Sequence, residues 1–413
     1  MLKRKVIMAI ADGLGDRPSD ILDNKTPLEY AKTPTLDRLA EQGITGMMDL
    51  ISPGIPVGTD MGHLILFGYK PENYPGRGPI EARGIGMNVK DSDIVIRCNF
   101  ATVDENGFIV DRRAGRIREG AQELSEALNG INLGNGVQAL FQTATEHRAV
   151  LILRGEGLSD QVSDTDPHAP NDGKPYALAE PLDDSLEAKK TAKALNVFLE
   201  KAHEILSNHP INEERIREGK LPANFTLTRG AGKNIELAPP GLKAGFTGSC
   251  IAGERTVLGV ANLAGYQLFT DDSMTGNMDT NIALKADKAL ELIKVSDIVY
   301  VHLKAPDIKG HDNEPFEKAE AIELFDQLVE RIADNLPNDV YLALGADHST
   351  PCEFGEHSGE PVPVVIYGPN IRRDQVTTYS EIDCAQGGLG RMNGQQFIAT
   401  LHDLMGYSIK QGN

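Results

Sequence analysis

Val6-Ile-Met-Ala-Ile-Ala11-Asp12 is an unbroken apolar run that stops at an acid, and the pattern recurs twice towards the other end of the chain. Ile298-Val-Tyr-Val-His-Leu303 leads to Asp307 and His311. Val340-Tyr-Leu-Ala-Leu344 leads to Asp347 and His348, with His357 in the polar stretch beyond. Short continuous apolar runs are what parallel strands buried on both faces look like. In open α/β sheets, ligands sit beyond the carboxyl ends of such strands. Acids and imidazoles collected at one sheet edge point to a metal site, and hence to an enzyme.

The composition narrows the partners. A chain of 413 residues, 40% hydrophobic, can bury a large core and is long enough for two domains. Its net charge of −19 argues against nucleic acid or an anionic membrane as the main partner, since phosphate backbones demand basic faces. The basic start Met1-Leu-Lys-Arg-Lys5 is followed by too short an apolar stretch for a signal peptide, and no run approaches a membrane span. Cys98, Cys250, Cys352 and Cys384 are scattered without a CxxC pair, which suits reduced, buried thiols in a cytoplasmic protein. Self-association is left open.

Periodicity organises the rest. Helical spacing over Thr35–Gln42 is closed by Gly43, and a second helical pattern runs through Met61–Phe67 after Gly58-Thr59-Asp60. From about residue 76 the runs shorten: Asp93–Arg97 and Arg148–Leu153 read as strands, with a helix between them near Glu119–Asn129. Residues 158–184, rich in Ser, Asp, Pro and Gly, read as a long loop or boundary. Leu195, Phe198, Leu199, Ala202, Ile205 and Leu206 mark an amphipathic helix started near Asp184. Strands and helices then alternate to the end. The expected architecture is α/β, a doubly wound sheet core built from residues 1–75 and 185–413. A smaller α+β domain at 76–184 is inserted in it as a substrate-binding lid.

Asp12, Asp307 and Asp347 with His311, His348 and His357 exceed what one tetrahedral ion needs. Mixed carboxylate and imidazole donors suit manganese, zinc, cobalt or iron better than magnesium or calcium. Two ions close together would clamp the attacking and leaving oxygens of a phosphoryl transfer. Any one of these residues alone has a blander explanation, as a solvated histidine or a helix N-cap; recurrence at three strand ends outweighs it. Thr59 precedes a helix, and two roles stay open for it: an N-cap, or a nucleophile activated by a metal ion.

An acidic chain that handles an anion needs local arginines. Asp111-Arg112-Arg113-Ala-Gly-Arg116-Ile-Arg118 supplies a run, with His147-Arg148 and Arg229 elsewhere. The spacing of 112, 113 and 116 can put two guanidinium forks on one helical face. A solvated charged helix is the bland reading; beside a dinuclear site, a substrate clamp is preferred.

These residues resemble the archaeal-type 2,3-bisphosphoglycerate-independent phosphoglycerate mutases of the alkaline phosphatase superfamily. The resemblance runs nearly the whole length, through Asp12-Gly-Leu-Gly-Asp16-Arg17, Thr26-Pro-Leu-Glu-Tyr30-Ala31, Thr33-Pro-Thr-Leu-Asp37 and Gly58-Thr-Asp-Met-Gly-His63-Leu64. It continues in Phe67-Gly-Tyr69, Gly76-Arg-Gly-Pro-Ile-Glu81-Ala82, Asn99-Phe-Ala-Thr102, Asp111-Arg-Arg-Ala-Gly-Arg-Ile117 and Arg229-Gly-Ala-Gly232. Asp307-x-x-x-His311-Asp312, Asp347-His-Ser-Thr-Pro-Cys352, His357-Ser-Gly359 and Gly387-Gly-Leu-Gly-Arg391 complete it. It implies an alkaline-phosphatase-like core, one ion on Asp307, His311 and His357, and a second on Asp12, Thr59, Asp347 and His348. Thr59 stands where the family usually has serine, and Leu258 where archaeal relatives carry lysine.

The activity so implied is interconversion of 3-phosphoglycerate and 2-phosphoglycerate, a glycolytic isomerisation through phosphothreonine at Thr59. It would use two divalent ions, manganese foremost with zinc, cobalt or magnesium as alternatives, and no 2,3-bisphosphoglycerate. Arg112, Arg113, Arg116, His147, Arg148 and Arg229 would grip the small phosphorylated carboxylic acid, and His63, His147 or Asp164 would move the hydroxyl proton. The rival readings are a homoserine-kinase-like phosphotransferase, a metal-dependent phosphatase on the same scaffold, or a non-catalytic metal- or anion-binding relative.

Overall fold

The structure, a computed structural model, describes residues 3–144, 146–167, 173–234, 237 and 245–412. The chain divides into two compact units, Met1–Tyr74 with Leu237–Asn413, and Pro75–Glu236. In chain order the strands are β1 (Lys5–Ala11) and β2 (Ile44–Asp49) of the first unit. The second unit contributes β3 (Ile94–Val103), β4 (Ile109–Asp111), β5 (Ile131–Gly134), β6 (Val137–Thr143), β7 (Arg148–Arg154) and β8 (Phe225–Lys233). The first unit resumes with β9 (Gly248–Ile251), β10 (Gln267–Phe269), β11 (Ile298–Leu303), β12 (Val340–Gly345), β13 (Val362–Tyr367) and β14 (Gly390–Asn393).

The first unit is built on an eight-stranded sheet in the order β10-β9-β11-β1-β12-β13-β2-β14. From β10 to β12 every neighbour is parallel; β13 runs antiparallel to both β12 and β2. The three apolar runs of the sequence are the adjacent central strands β11, β1 and β12, in register Ala9↔Val301 and Ala9↔Leu344. Val6–Ala11 and Ile298–Leu303 are buried at every residue, as strands covered on both faces must be. Register therefore brings Asp12, the segment after Leu303 and the segment after Gly345 to one edge. The helix expected near Thr35 spans Pro34–Gln42 with Gly43 as its C-cap. No helix among the described residues is long and apolar enough to cross a membrane.

The second unit is a sheet in the order β4-β3-β7-β6-β5, with β8 also paired to β3, and the pairings are antiparallel. Its core gathers Phe100, Phe141, Leu151, Phe198 and Phe225. The expected return to the first unit at residue 185 is corrected here: the second unit continues to 236. The helix Leu186–Ser207, capped by Ser185, buries Leu195, Phe198, Leu199, Ala202 and Leu206 in the second unit's own core. The polar stretch before it is no linker either. Thr165 N–H donates to the Thr228 carbonyl at 2.9 Å and Ala179 N–H to Asn196 Oδ1 at 2.8 Å, so it runs along that unit; residues 168–172 lie outside the described residues.

Candidate active site

Four functional groups converge at the first sheet's carboxyl edge. Asp12 follows β1; Asp347 and His348 follow β12, and a bend at Asp347 turns both neighbouring side chains to the same place. Thr59 is the first residue of the helix Thr59–Leu66, whose N-cap is Gly58, so its hydroxyl is not spent on capping. His348 Nε2 lies 3.3 Å from Asp12 Oδ1, from Asp347 Oδ2 and from Thr59 Oγ1. Ligands around a tetrahedral ion with bonds of about 2.0–2.1 Å lie about 3.3 Å apart. Asp12 Oδ1 and Asp347 Oδ2 are buried without a hydrogen-bond partner. Buried carboxylate oxygens are normally satisfied, so a cation fits here.

A second group forms beside it. In the helix Ala305–His311, Asp307 and His311 sit four residues apart and share one face. His311 Nε2 and His357 Nε2 approach to 3.1 Å, and Asp307 Oδ1 is 3.5 and 3.4 Å from them. The Nδ1 atoms of these rings lie 2.8 Å from the carbonyls of Gly355 and Val57, which can only accept. Each Nδ1 therefore carries the proton, and in the neutral rings two Nε2 lone pairs face each other. That arrangement suits a cation between them.

Lys304, which sequence reading passed over, closes the space between the groups. Its ammonium is 3.1 Å from Asp12 Oδ2, 2.6 Å from Asp307 Oδ2 and 3.3 Å from Thr59 Oγ1. Burial would raise the Asp12 carboxyl, but Lys304 and the neighbouring imidazoles of His302 and His348 outweigh it and hold it well below the usual carboxylate range. Burial would lower the Lys304 ammonium; Asp12 and Asp307 reverse this, so it stays protonated. Two further buried imidazoles brace the carboxylates from behind. His302 Nε2 is 2.7 Å from Asp12 Oδ2, and His63 Nδ1 lies 2.8 Å from the Thr59 carbonyl and 3.3 Å from Asp347 Oδ2. His63 has no exposed surface, and its contacts with the Thr59 carbonyl and Asp347 make it a support for the cluster.

The arginines gather in the second unit. A cavity of about 380 Å³ is lined by Arg97, Asn99, Arg112, Arg113, Arg116, Glu146, His147, Arg148 and Arg229. All six residues expected to grip the substrate are therefore together, joined by Arg97 and Asn99 from β3. The expected helical face is corrected: residues 112–116 form a turn with Ala114, Gly115 and Arg116 at φ of 46°, 64° and 55°. Asp111 anchors it, its Oδ1 accepting from Arg113 N–H at 2.6 Å. Arg112 is already engaged, its fork bonded to Asp166 at 2.8 and 2.7 Å. Burial, reinforced by Arg148 and Arg113, lowers the His147 imidazole to about 4, and His147 Nδ1 and Asn99 Oδ1 are buried without partners. Burial lowers the Arg97 guanidinium to about 9 despite Glu81, and Arg77, Arg229 and Arg148 add to the effect. Asp164 accepts from Gly230 N–H at 2.8 Å, and Leu258 is buried in the helix Arg255–Leu263.

The likeness to known proteins is extensive. The model of the 2,3-bisphosphoglycerate-independent phosphoglycerate mutase family matches residues 40–212. A mutase of that description from Methanobrevibacter smithii is 45% identical, covering 99% of this chain and 100% of the relative. One from Thermococcus kodakarensis is 45% identical and covers 100% of both. Among solved structures, a Pyrococcus horikoshii protein superposes with a TM-score of 0.85 at 37% identity, covering 100% of both chains. A cofactor-independent phosphoglycerate mutase from Thermoplasma acidophilum gives 0.73 at 33% identity, covering 97% of this chain and 100% of the other. Matched at this identity over the full length of such relatives, the chain belongs to the 2,3-bisphosphoglycerate-independent phosphoglycerate mutase family.

Proposed function

We propose that this chain interconverts 3-phosphoglycerate and 2-phosphoglycerate with Thr59 as the nucleophile. The observation that carries the reading is the position of Thr59 Oγ1, 3.3 Å from both His348 Nε2 and the Lys304 ammonium. Asp12, Thr59, Asp347 and His348 would hold one divalent ion and Asp307, His311 and His357 a second, manganese before zinc, cobalt or magnesium. When bound, the ions supply positive charge that acidifies the Thr59 hydroxyl and neutralises the phosphoryl oxygens.

The chain's own groups do the rest. The Lys304 ammonium favours the ionised form of Thr59 and stabilises charge on the transferring group. The Thr59 Oγ–P bond forms as the substrate O–P bond breaks, and the proton given up by the Thr59 hydroxyl is balanced by one taken up on the departing glycerate oxygen, giving phosphothreonine and glycerate. The other glycerate hydroxyl then takes the phosphoryl group back, and Thr59 is regenerated. Arg112, Arg113, Arg116, His147, Arg148 and Arg229 would hold the carboxylate and phosphate so that glycerate is not exchanged for water.

The test is purified protein with manganese and 3-phosphoglycerate, coupled to enolase, with free phosphate followed in parallel. Formation of 2-phosphoglycerate without phosphate release is expected. No 2-phosphoglycerate under any divalent metal would sink the reading, and phosphate release alone would favour a phosphatase. Thr59→Ala should lower turnover by at least about 10³-fold, as losing a nucleophile does, with an unchanged unfolding midpoint. Retained turnover removes Thr59 from the mechanism.

A further inference from the structure

Between the two acid–imidazole groups lies a hydroxyl with no exposed surface, that of Thr350. Its Oγ1 is 2.6 Å from Asp307 Oδ1, a member of one group, and 3.1 Å from His348 Nδ1, a member of the other. The direction of both bonds is fixed by chemistry. An ionised carboxylate can only accept, so the hydroxyl hydrogen points to Asp307. The remaining lone pair must accept from His348, so the proton of that ring sits on Nδ1. His348 Nε2 is then a free lone pair, aimed at Asp12, Asp347 and Thr59.

The hydroxyl is itself held from outside the site. Thr350 N–H donates to the Gly15 carbonyl at 3.0 Å, and the Thr350 carbonyl accepts from the buried Lys318 ammonium at 2.9 Å. The backbone of Gly13, at φ 64°, closes the remaining space. A Cβ there would lie 2.6 Å from Thr350 Oγ1 and 2.7 Å from Asp307 Oδ1, so only glycine lets the backbone pack this close to the pair. Meanwhile Lys304 pulls on the opposite oxygen of Asp307 at 2.6 Å. Without Thr350, the His348 Nδ1–H would be buried and unsatisfied, favouring the other tautomer, and Asp307 would be free to swing to Lys304.

We propose that Thr350 is a positioning residue for both cation sites at once, its hydroxyl setting the His348 tautomer in one and the Asp307 rotamer in the other. This rests on the reading that both groups hold divalent ions. The experiment is calorimetric titration of the whole protein with Mn²⁺, without substrate, on wild type, Thr350→Val, Thr350→Cys and Thr350→Ser. Wild type should bind two ions. Valine, which keeps the shape without the donor, and cysteine, which puts a weak thiol donor where serine has a hydroxyl, should each weaken both sites by about 10- to 100-fold, the usual loss for an outer-shell partner. Serine should restore wild-type affinity. If valine does not fold, the cysteine and serine pair carries the same comparison. Weakening of one site alone, or of neither, overturns the proposal and leaves the two-ion reading standing. Equal weakening by serine and cysteine also overturns it, because the methyl rather than the hydroxyl would then be responsible. A wild type that binds fewer than two ions overturns both.

Discussion

The acid–imidazole cluster of the first unit and the arginine pocket of the second are opposite kinds of polar site. In the cluster, charge of both signs is interleaved: Lys304 touches Asp12 and Asp307, His302 braces Asp12, and Thr350 joins His348 to Asp307. In the pocket, like charges crowd together. Arg113, Arg116 and Arg148 form no ion pair with another described residue, and Asn99 Oδ1 and His147 Nδ1 are buried without hydrogen-bond partners, Glu146 lying 4.0 Å from the imidazole. The cluster is braced by side chains of both signs, although Asp12 Oδ1 and Asp347 Oδ2 keep no hydrogen-bond partner. On the proposed function the pocket would act as a trap, its energy balance improving when an anion enters.

The sharpest way to break this contrast is Lys304→Met. If Lys304 stabilises transferring charge, turnover should fall by about 10²–10³-fold. Metal affinity should hold or rise, since the ammonium competes with cations for Asp12 and Asp307. Enolase-coupled kinetics and Mn²⁺ titration on one preparation check both. Collapse of metal binding would recast Lys304 as a structural counter-charge.

Next in size, the pocket itself should separate into two classes of arginine. Arg112 is bonded through both ends of its fork to Asp166, which is 3% exposed. Arg112→Ala takes both of these bonds from a buried carboxylate and should cost roughly 3–5 kcal/mol in denaturant unfolding. Arg148→Ala breaks no ion pair; its unfolding midpoint and kcat should stay put while KM rises about tenfold. Equal stability losses in the two variants would dissolve the distinction.

The same contrast explains what could be read from the sequence. Asp12, Asp307 and Asp347 were legible because each follows a continuous apolar run, and parallel register does the rest. Lys304 carried a signal that went unused: it is the first residue after β11 and three before Asp307, a helical ion-pair spacing. His302, a lone imidazole inside an apolar run, was the other missed signal. The arginine cavity is assembled from β3, the 112–116 turn, the start of β7 and Arg229, so only membership could be guessed. The turn was misread as a helix because 112, 113 and 116 fit that period, whereas Ala114-Gly115 reverses the backbone instead. The end of the second unit was placed too early because its most polar stretch lies inside it, not after it.

The smallest effect discriminates most directly between trap and rigid scaffold. Burial, with Arg148 and Arg113 beside it, holds the His147 imidazole at about 4, whereas an unfolded chain titrates near 6.5. As pH falls below about 6.5 the unfolded state takes up a proton that the folded state refuses until about 4, so stability is lost across that window. The ring keeps an edge towards the cavity, which reduces the loss to roughly 1 kcal/mol. An anion in the pocket neutralises two of the causes, raises the imidazole and shrinks the loss. Urea unfolding of wild type and His147→Gln at pH 7.5 and 5.0, with and without inorganic phosphate, reads this out. Wild type should lose more stability than the variant on acidification, and phosphate should narrow the gap. If phosphate leaves the gap untouched, no anion sits among these arginines, and the pocket's crowded charge has to be explained without a ligand.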